Sequence, residues 1–364
     1  MDDYTWQKSI ELRQRRRQRE VFSLVLVLAI ALGTAVWYFG IYARTPDFAL
    51  NAALEAVQTH DVEKFHRYVD MKLLTDRAYD DLTVDFFTND PSLTPQSRAL
   101  FEKFYVLIKS QLTAGIINTV TGKIESGEFA MPQGTSLLKG RQLGIDYELF
   151  LEKSRLTSFE LVSVGAINRG SGYATAELNI KDTTCGVEFP LVLVLEERSN
   201  GWQVAYLNNY RNFLDKVTPL IARDITAYVN ATREIINEHN NIFAAQRQDF
   251  AALTDTYDGR ISSDRRTFVV DLIEKQILPT IKMRQIKLNE VAAPPGAKYL
   301  AAMRQKATDQ SVAAWTAYLA ALRENRHEAL ENAESLLKQN LETEVRIEDI
   351  IKQAALNSEL PIVP

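Results

Sequence analysis

Residues 21–43, VFSLVLVLAIALGTAVWYFGIYA, contain no charged side chain. An apolar helix of roughly 20 residues spans the hydrocarbon core of a bilayer, so this run predicts a single transmembrane anchor and divides the chain around it. Lys8, Arg13, Arg15, Arg16, Arg17 and Arg19 precede it, whereas Arg44 is the only Lys or Arg between its end and Lys64. Positive charge stays on the cytoplasmic side, so residues 1–20 are expected inside and residues 45–364 outside. Trp37, Tyr38 and Tyr42 gather at the outer end, where amphipathic rings prefer the headgroup layer. A cleaved signal peptide is the competing reading. The apolar run is longer than the about 7–15 residues usual there, and the exit YFGIYARTP is a poor small-x-small cleavage site.

The 364 residues leave room for two domains beyond the anchor, and a composition 46% hydrophobic and 24% charged is that of a folded chain. Net charge is −5; residues 1–20 hold six basic and four acidic side chains, which leaves the outer part near −7. Nucleic acid and anionic lipid both select basic patches, so neither is the expected partner of the outer region. A single cysteine, Cys185, excludes an intramolecular disulfide and a cysteine-based metal site.

The first outer domain is predicted over residues 45–210. Thr45 and Pro46 form a cap followed by proline at the first helical position, and Phe48, Leu50, Ala53, Leu54 and Val57 recur at helical spacing. His60 interrupts the rhythm, and Asp61 caps a second short helix presenting Val62, Phe65, Tyr68 and Val69. Thr94-Pro95 opens another helix, expected to bury Leu100, Phe101, Phe104, Leu107, Ile108 and Leu112. Residues 158–168, 173–182, 187–196 and 202–208 are β-branched or alternating and are separated by turn residues, which predicts an antiparallel meander. Asn200-Gly201 reads as a type I′ hairpin turn, and Pro190 pushes its strand toward an edge or a bulge. Helices followed by a meander make an α+β domain.

The opening ALxAVxxHDVEKFxxYVD and the closing Trp202-x-Val204 strand resemble the nuclear transport factor 2-like superfamily of cone-shaped α+β domains. More narrowly, the chain resembles a bacterial membrane-anchored family in which Thr-Pro-Asp/Glu-aromatic-x-Leu directly follows the anchor. The residues that carry the resemblance are Thr45, Pro46, Asp47, Phe48, Leu50, Ala56, His60, Asp61, Phe65, Tyr68, Val69 and Asp70, then Trp202 and Val204. It covers under half the chain. The resemblance implies a cone-like fold; because that superfamily includes both enzymes and binding domains, it implies no activity.

Residues 211–356 are predicted to form an all-α helical bundle, with 357–364 an irregular tail. Leu214, Ile221, Tyr228, Ile235 and Ile242 recur every seven residues, with Ile225, Thr232, His239, Gln246 and Leu253 interleaved, the pattern of one long helix with a coiled-coil-like seam. Ile221, Ile225, Tyr228, Ile235 and Ile242 are expected inside, with Thr232, His239 and Gln246 as polar layers. A second helix carries Phe268, Val269, Leu272, Ile273, Ile277 and Ile281, with Pro279 expected to kink it. Residues 293–296, APPG, are a stop. Asn325 to His327 divides the remaining stretch into two helices, giving three or four in antiparallel array.

Catalytic and metal-binding motifs are not evident. None of His60, His66, His239 and His327 is paired at i,i+4 as zinc-binding helices require. Asp70, Asp76, Asp80, Asp81, Asp85 and Asp90 lack the central glycine and closing glutamate of a calcium loop and read as caps and a solvated face. Gly115 and Gly122-Lys123 are too widely spaced for a phosphate loop, and Ile124 stands where a hydroxyl is needed. Cys185 sits in a turn as a small half-buried residue, and Ala29-x-x-x-Gly33 matches a helix-packing pattern. No cofactor is expected.

The sequence therefore predicts a non-catalytic, single-pass, extracytoplasmic scaffold or interaction module of the bacterial cytoplasmic membrane. Its expected partners are the membrane through residues 21–43 and another envelope protein or a second copy. The alternative is a ligand-binding or enzymatic cone whose pocket lies between the first helices and the sheet, lined by Tyr68, Phe104, Tyr147, Trp202 and Tyr206.

Overall fold

A computed structural model describes residues 27, 29–32, 34, 37, 38, 40–84, 93–129, 147–255, 262–324, 327–358 and 361. The basic N-terminus and about half of the apolar run, Gly33 included, lie outside these residues. Among the described residues no helix is long and apolar enough to cross a membrane. At the C-terminal end of the run the aromatic rings are stacked together. Trp37 lies on Tyr42 with centroids 5.7 Å apart, and Tyr42 meets Phe48 edge-on at 5.4 Å. Phe48 in turn meets Tyr68 at 5.9 Å, so the rings beside the run are packed into the first domain.

That domain begins with three short helices, each started by a side-chain cap. Thr45 accepts a hydrogen bond from the Phe48 amide to open α1 (Pro46–Gln58), and Asp61 accepts from Lys64 to open α2 (Val62–Tyr68). Asp70 accepts from Leu73 to open α3 (Met71–Thr83). Each cap satisfies an amide that the helix leaves without a partner, worth about 1 kcal/mol. His60 turns the corner between α1 and α2 with φ of 58°. Helix α3 was not expected: its run of aspartates hides a buried stripe of Met71, Thr75, Tyr79 and Leu82. Of those aspartates, Asp70 is the cap, Asp76 pairs with Lys72 and Asp80 with Lys109; Asp85 and Asp90 lie outside the described residues.

Thr94 caps α4 (Pro95–Ser126), a helix of 32 residues that contains Gly115 and Gly122. Its first half departs from expectation. Ile108 and Leu112 are buried and Phe104 is half-buried, but Leu100 and Leu107 are 69% and 76% exposed, and Phe101 is also exposed. Helix α5 (Tyr147–Ser154), also unexpected, lays Tyr147 across α4 where Gly115 leaves room; a Cβ there would sit 2.7 Å from the ring.

Strands β1 (Phe159–Arg169), β2 (Tyr173–Asp182), β3 (Glu188–Arg198) and β4 (Gly201–Leu207) form an antiparallel meander in that order. The β3–β4 turn is not type I′. Arg198 faces Gly201 across the ladder, and Gly201 takes positive φ (115°) while Asn200 does not. One glycine after an ordinary turn closes the hairpin. Pro190 lies in β3 beyond the end of β4, where its missing N–H breaks no ladder bond. There the Asn209 side chain takes over from β4: it donates to the Pro190 carbonyl and accepts from the Val192 amide, both at 2.8 Å.

Helix α6 (Tyr210–Thr254) follows β4 after two residues and runs unbroken for 45 residues through Pro219. Its first turns belong to the first domain, because Tyr210, Phe213, Leu214 and Val217 pack with Tyr79, Ile108, Phe150 and Ile180. The remaining helices are α7 (Ser263–Leu272), a π turn at Ile273–Ile277, α8 (Leu278–Asn289), α9 (Lys298–Glu324) and α10 (His327–Asn357). Just before Pro279, where a kink was expected, the helix holds a π turn that accommodates the lost helical hydrogen bond. Cross-contacts fix the directions. Lys287–Glu238 and Gln246–Thr280 set α8 antiparallel to α6, while Tyr228–Arg304 and Phe250–Tyr318 set α9 parallel to it. With α10 returning along α9, the bundle is up-down-up-down.

The seam of α6 differs from its heptad reading. The polar layers Thr232, His239 and Gln246 are buried beside Ile225 and Tyr228, whereas Ile221 and Ile235 are half-buried and Ile242 is exposed. The apolar row drifts outward because a straight α-helix rotates by about 20° per heptad. Phe268, expected inside, is 63% exposed while its neighbour Val269 is fully buried.

Candidate functional site

The five aromatics proposed to line a pocket in the cone do not meet around one space. Tyr147 and Phe104 belong to the core beneath α3, α4 and α5, and Tyr68 and Trp202 to a second core beneath α1 and α2. Tyr206 is half-buried beneath the Arg77 guanidinium, 5.7 Å from its ring centre. Where the two cores adjoin, the shared residues are Val120, Leu178 and Leu207. Tyr147 is buried and its hydroxyl is bonded to Thr119 at 2.9 Å; burial pushes its phenol up to about 12.

A buried polar cluster, invisible in the sequence, joins α5 to the β2–β3 turn. Arg155, left-handed at φ 57°, directs Nε to Asp182 Oδ2 at 3.2 Å, Nη1 to Glu152 at 2.5 Å and Nη2 to Thr184 at 2.6 Å. Asp182 Oδ1 accepts from the Thr184 and Cys185 amides. These bonds tie the β2–β3 turn to α5. The Cys185 thiol beside the cluster is pushed up to about 12 by burial and by Asp182, which keeps it protonated and poorly nucleophilic.

The histidines serve similar local ends. His60 donates from Nδ1 to the Ile124 carbonyl at 2.6 Å, His66 lies 3.4 Å from Thr121, and buried His239 donates from Nδ1 to the Ile235 carbonyl at 2.8 Å. The His327 side chain is outside the described residues. Among the described residues no group of three His, Cys, Asp or Glu is placed to hold a metal.

Two cavities lie elsewhere. The smaller, about 150 Å³, sits where the two domains meet, between Leu149 and Arg155 on one side and Ile221, Ile225, Ile350 and Ala354 on the other. Gly296 lines it and packs directly on α6: a Cβ there would lie 3.0 Å from the Ile221 Cα, and its amide donates to Asp224. The larger, about 690 Å³, lies within the bundle among α6, α8, α9 and α10. Its wall combines aromatic and aliphatic side chains with polar and charged ones, among them Arg247, Arg284, Arg304, Glu344 and Glu348. Arg304 is 8% exposed, donates to the Thr232 hydroxyl at 2.8 Å and lies over the Tyr228 ring at 5.1 Å. Burial lowers its pKa, with the Arg284 charge adding to that effect. Arg284 lies over Phe243 at 5.2 Å and reaches Glu344 at 3.4 Å. The sequence signal for this site was the polar seam of α6, which reads equally well as helix register.

No family model, curated protein or solved structure matches this chain.

Proposed function

We propose that the protein is a single-pass, non-catalytic interaction module, anchored by residues 21–43 with residues 45–364 outside the cytoplasm. The observation that carries the non-catalytic reading is the filling of the first domain. The space between its helices and its meander is occupied by Leu, Ile, Ala and Phe side chains, with the Tyr147 hydroxyl closed onto Thr119. An active site needs convergent polar groups around an open space. Helices followed by a four-stranded meander also support a cone of the nuclear transport factor 2-like kind. The aromatic stack from Trp37 to Tyr68 supports a first domain held close to the headgroup layer. Leu100, Phe101, Val106 and Leu107, exposed within about two turns of α4, support a surface for another envelope protein or a second copy.

The test is made in intact cells on a Cys185→Ser background. Glu63→Cys should react with a membrane-impermeant maleimide and Ser9→Cys should not. A photo-crosslinker at position 107 should give one discrete adduct, and the same group at exposed Glu55 should give none. Reversed labelling overturns the topology, a mature chain starting near Thr45 overturns the anchor, and equal crosslinking at both positions overturns the interaction surface.

A further inference from the structure

The bundle cavity has the size of a small-molecule site, since such sites run to roughly 300–1,000 Å³. Its charge balance is unusual for a core. Arg247, Arg284 and Arg304 line it together with two carboxylates, Glu344 and Glu348, and Glu344 lies 3.4 Å from Arg284. Among the described residues no carboxylate comes within 4.0 Å of buried Arg304, and the lining as a whole carries one positive charge in excess.

Hydrogen-bonding capacity is also left over. Arg284 Nε and Gln246 Oε1 are buried without a partner, and such groups are costly to leave unmade. Turning the Gln246 amide over lets Oε1 accept from the Thr280 hydroxyl and leaves Nε2, on a residue of the cavity lining, as a spare donor. The Arg284 and Arg304 guanidinium planes are held against rings, at 5.2 Å and 5.1 Å, an arrangement that leaves edge N–H groups available. A bundle that needed only packing gains nothing from two such arginines, because apolar residues in place of buried charges are often neutral or stabilising.

We propose that this cavity binds a monoanionic amphiphile, a long-chain carboxylate. Its headgroup is received by Arg284, Arg304 and Gln246, and its hydrocarbon tail lies along Phe243, Ile281 and Trp315. The single negative charge balances the single surplus positive one, and a carboxylate matches the guanidinium fork. The site is separate from the surface on α4 and does not depend on how the chain is oriented in the membrane.

The test uses the full chain in lipid nanodiscs with a palmitate analogue bearing a diazirine at the end of its tail, the labelled peptides being mapped by mass spectrometry. Labelling should saturate and fall within 277–288 and 311–319. Unlabelled palmitate should compete roughly tenfold or more better than hexadecanol, the value of a charge-assisted hydrogen bond. Arg304→Gln should remove most of that preference. Leu341→Glu, at a cavity-lining position 63% exposed and one turn before Glu344, should weaken palmitate about tenfold more than it weakens hexadecanol; it carries the test if Arg304→Gln fails to fold. Labelling confined to 21–43 overturns the site. Hexadecanol competing as well as palmitate overturns the headgroup assignment, and lysophosphatidylglycerol competing better than palmitate overturns the carboxylate in favour of a phosphodiester.

Discussion

Phe213→Ala tests whether the α+β domain and the helical bundle share one core. Phe213 is fully buried on the first turn of the bundle's longest helix, yet its neighbours belong to the first domain: Phe189 at 5.6 Å between ring centres, Tyr210 at 6.4 Å, and Ile180 and Leu191 in the same cluster. A buried Phe removes about 150–250 Å² from water, which at about 25 cal/mol/Å² is about 4–6 kcal/mol. Unfolded chains already bury some of that area, so the cost of truncation falls to about 3–5 kcal/mol, in line with other buried aromatics. The assay is urea unfolding of residues 45–364, followed by near-ultraviolet circular dichroism and by a fluorophore on α10. If α6 couples the domains, both probes report one transition and both midpoints fall together. Two separate transitions, with only the first domain's midpoint displaced, would refute the shared core and make 45–210 and 211–356 independent units.

Asp182→Asn should cost about 3–5 kcal/mol in the same assay, because it strips a buried guanidinium of its carboxylate, whereas Glu152→Gln, at the more exposed end, should cost less than about 1 kcal/mol. Gly296→Ala should cost about 1–3 kcal/mol, since the new Cβ meets α6 backbone at 3.0 Å; a change below about 0.5 kcal/mol would mean that the Pro294–Gly296 turn is not seated on Ile221. Stability should decline in alkali. Tyr79, Tyr147, Tyr210 and Cys185 all have raised pKa values, chiefly from burial, so above their ordinary values of 10.0 for Tyr and 9.0 for Cys the unfolded chain loses protons first. The stabilisation is complete below those values and is lost as pH rises through the window up to about 12, where Tyr147 and Cys185 titrate in the fold. A urea midpoint flat between pH 9 and 11 would contradict this.

Local rules made much of the architecture legible. Thr45, Asp61 and Thr94 each announce a helix because a cap acts on amides two or three residues away, and the four strands are marked by β-branched or alternating runs between turn residues. The seven-residue rhythm from Leu214 onward similarly specified one long helix. Helices α3 and α5 were missed because their polar composition outweighs four buried positions each. The Gly201 turn and the π turn before Pro279 depend on backbone angles that one residue type does not settle.

Which face of a helix is inside was decided only by tertiary packing. Periodicity gives the spacing of a stripe and leaves its direction to the neighbours, so Leu107 and Ile242 lie outward while Thr232, His239 and Gln246 lie inward. The same holds for chemistry that depends on distant partners. Arg155 and Asp182 are 27 residues apart, and Arg284 and Glu344 are 60 apart. A charge carries no mark in sequence of whether it will meet water or a buried counter-charge; desolvation, which exists only once the chain has folded, makes that distinction.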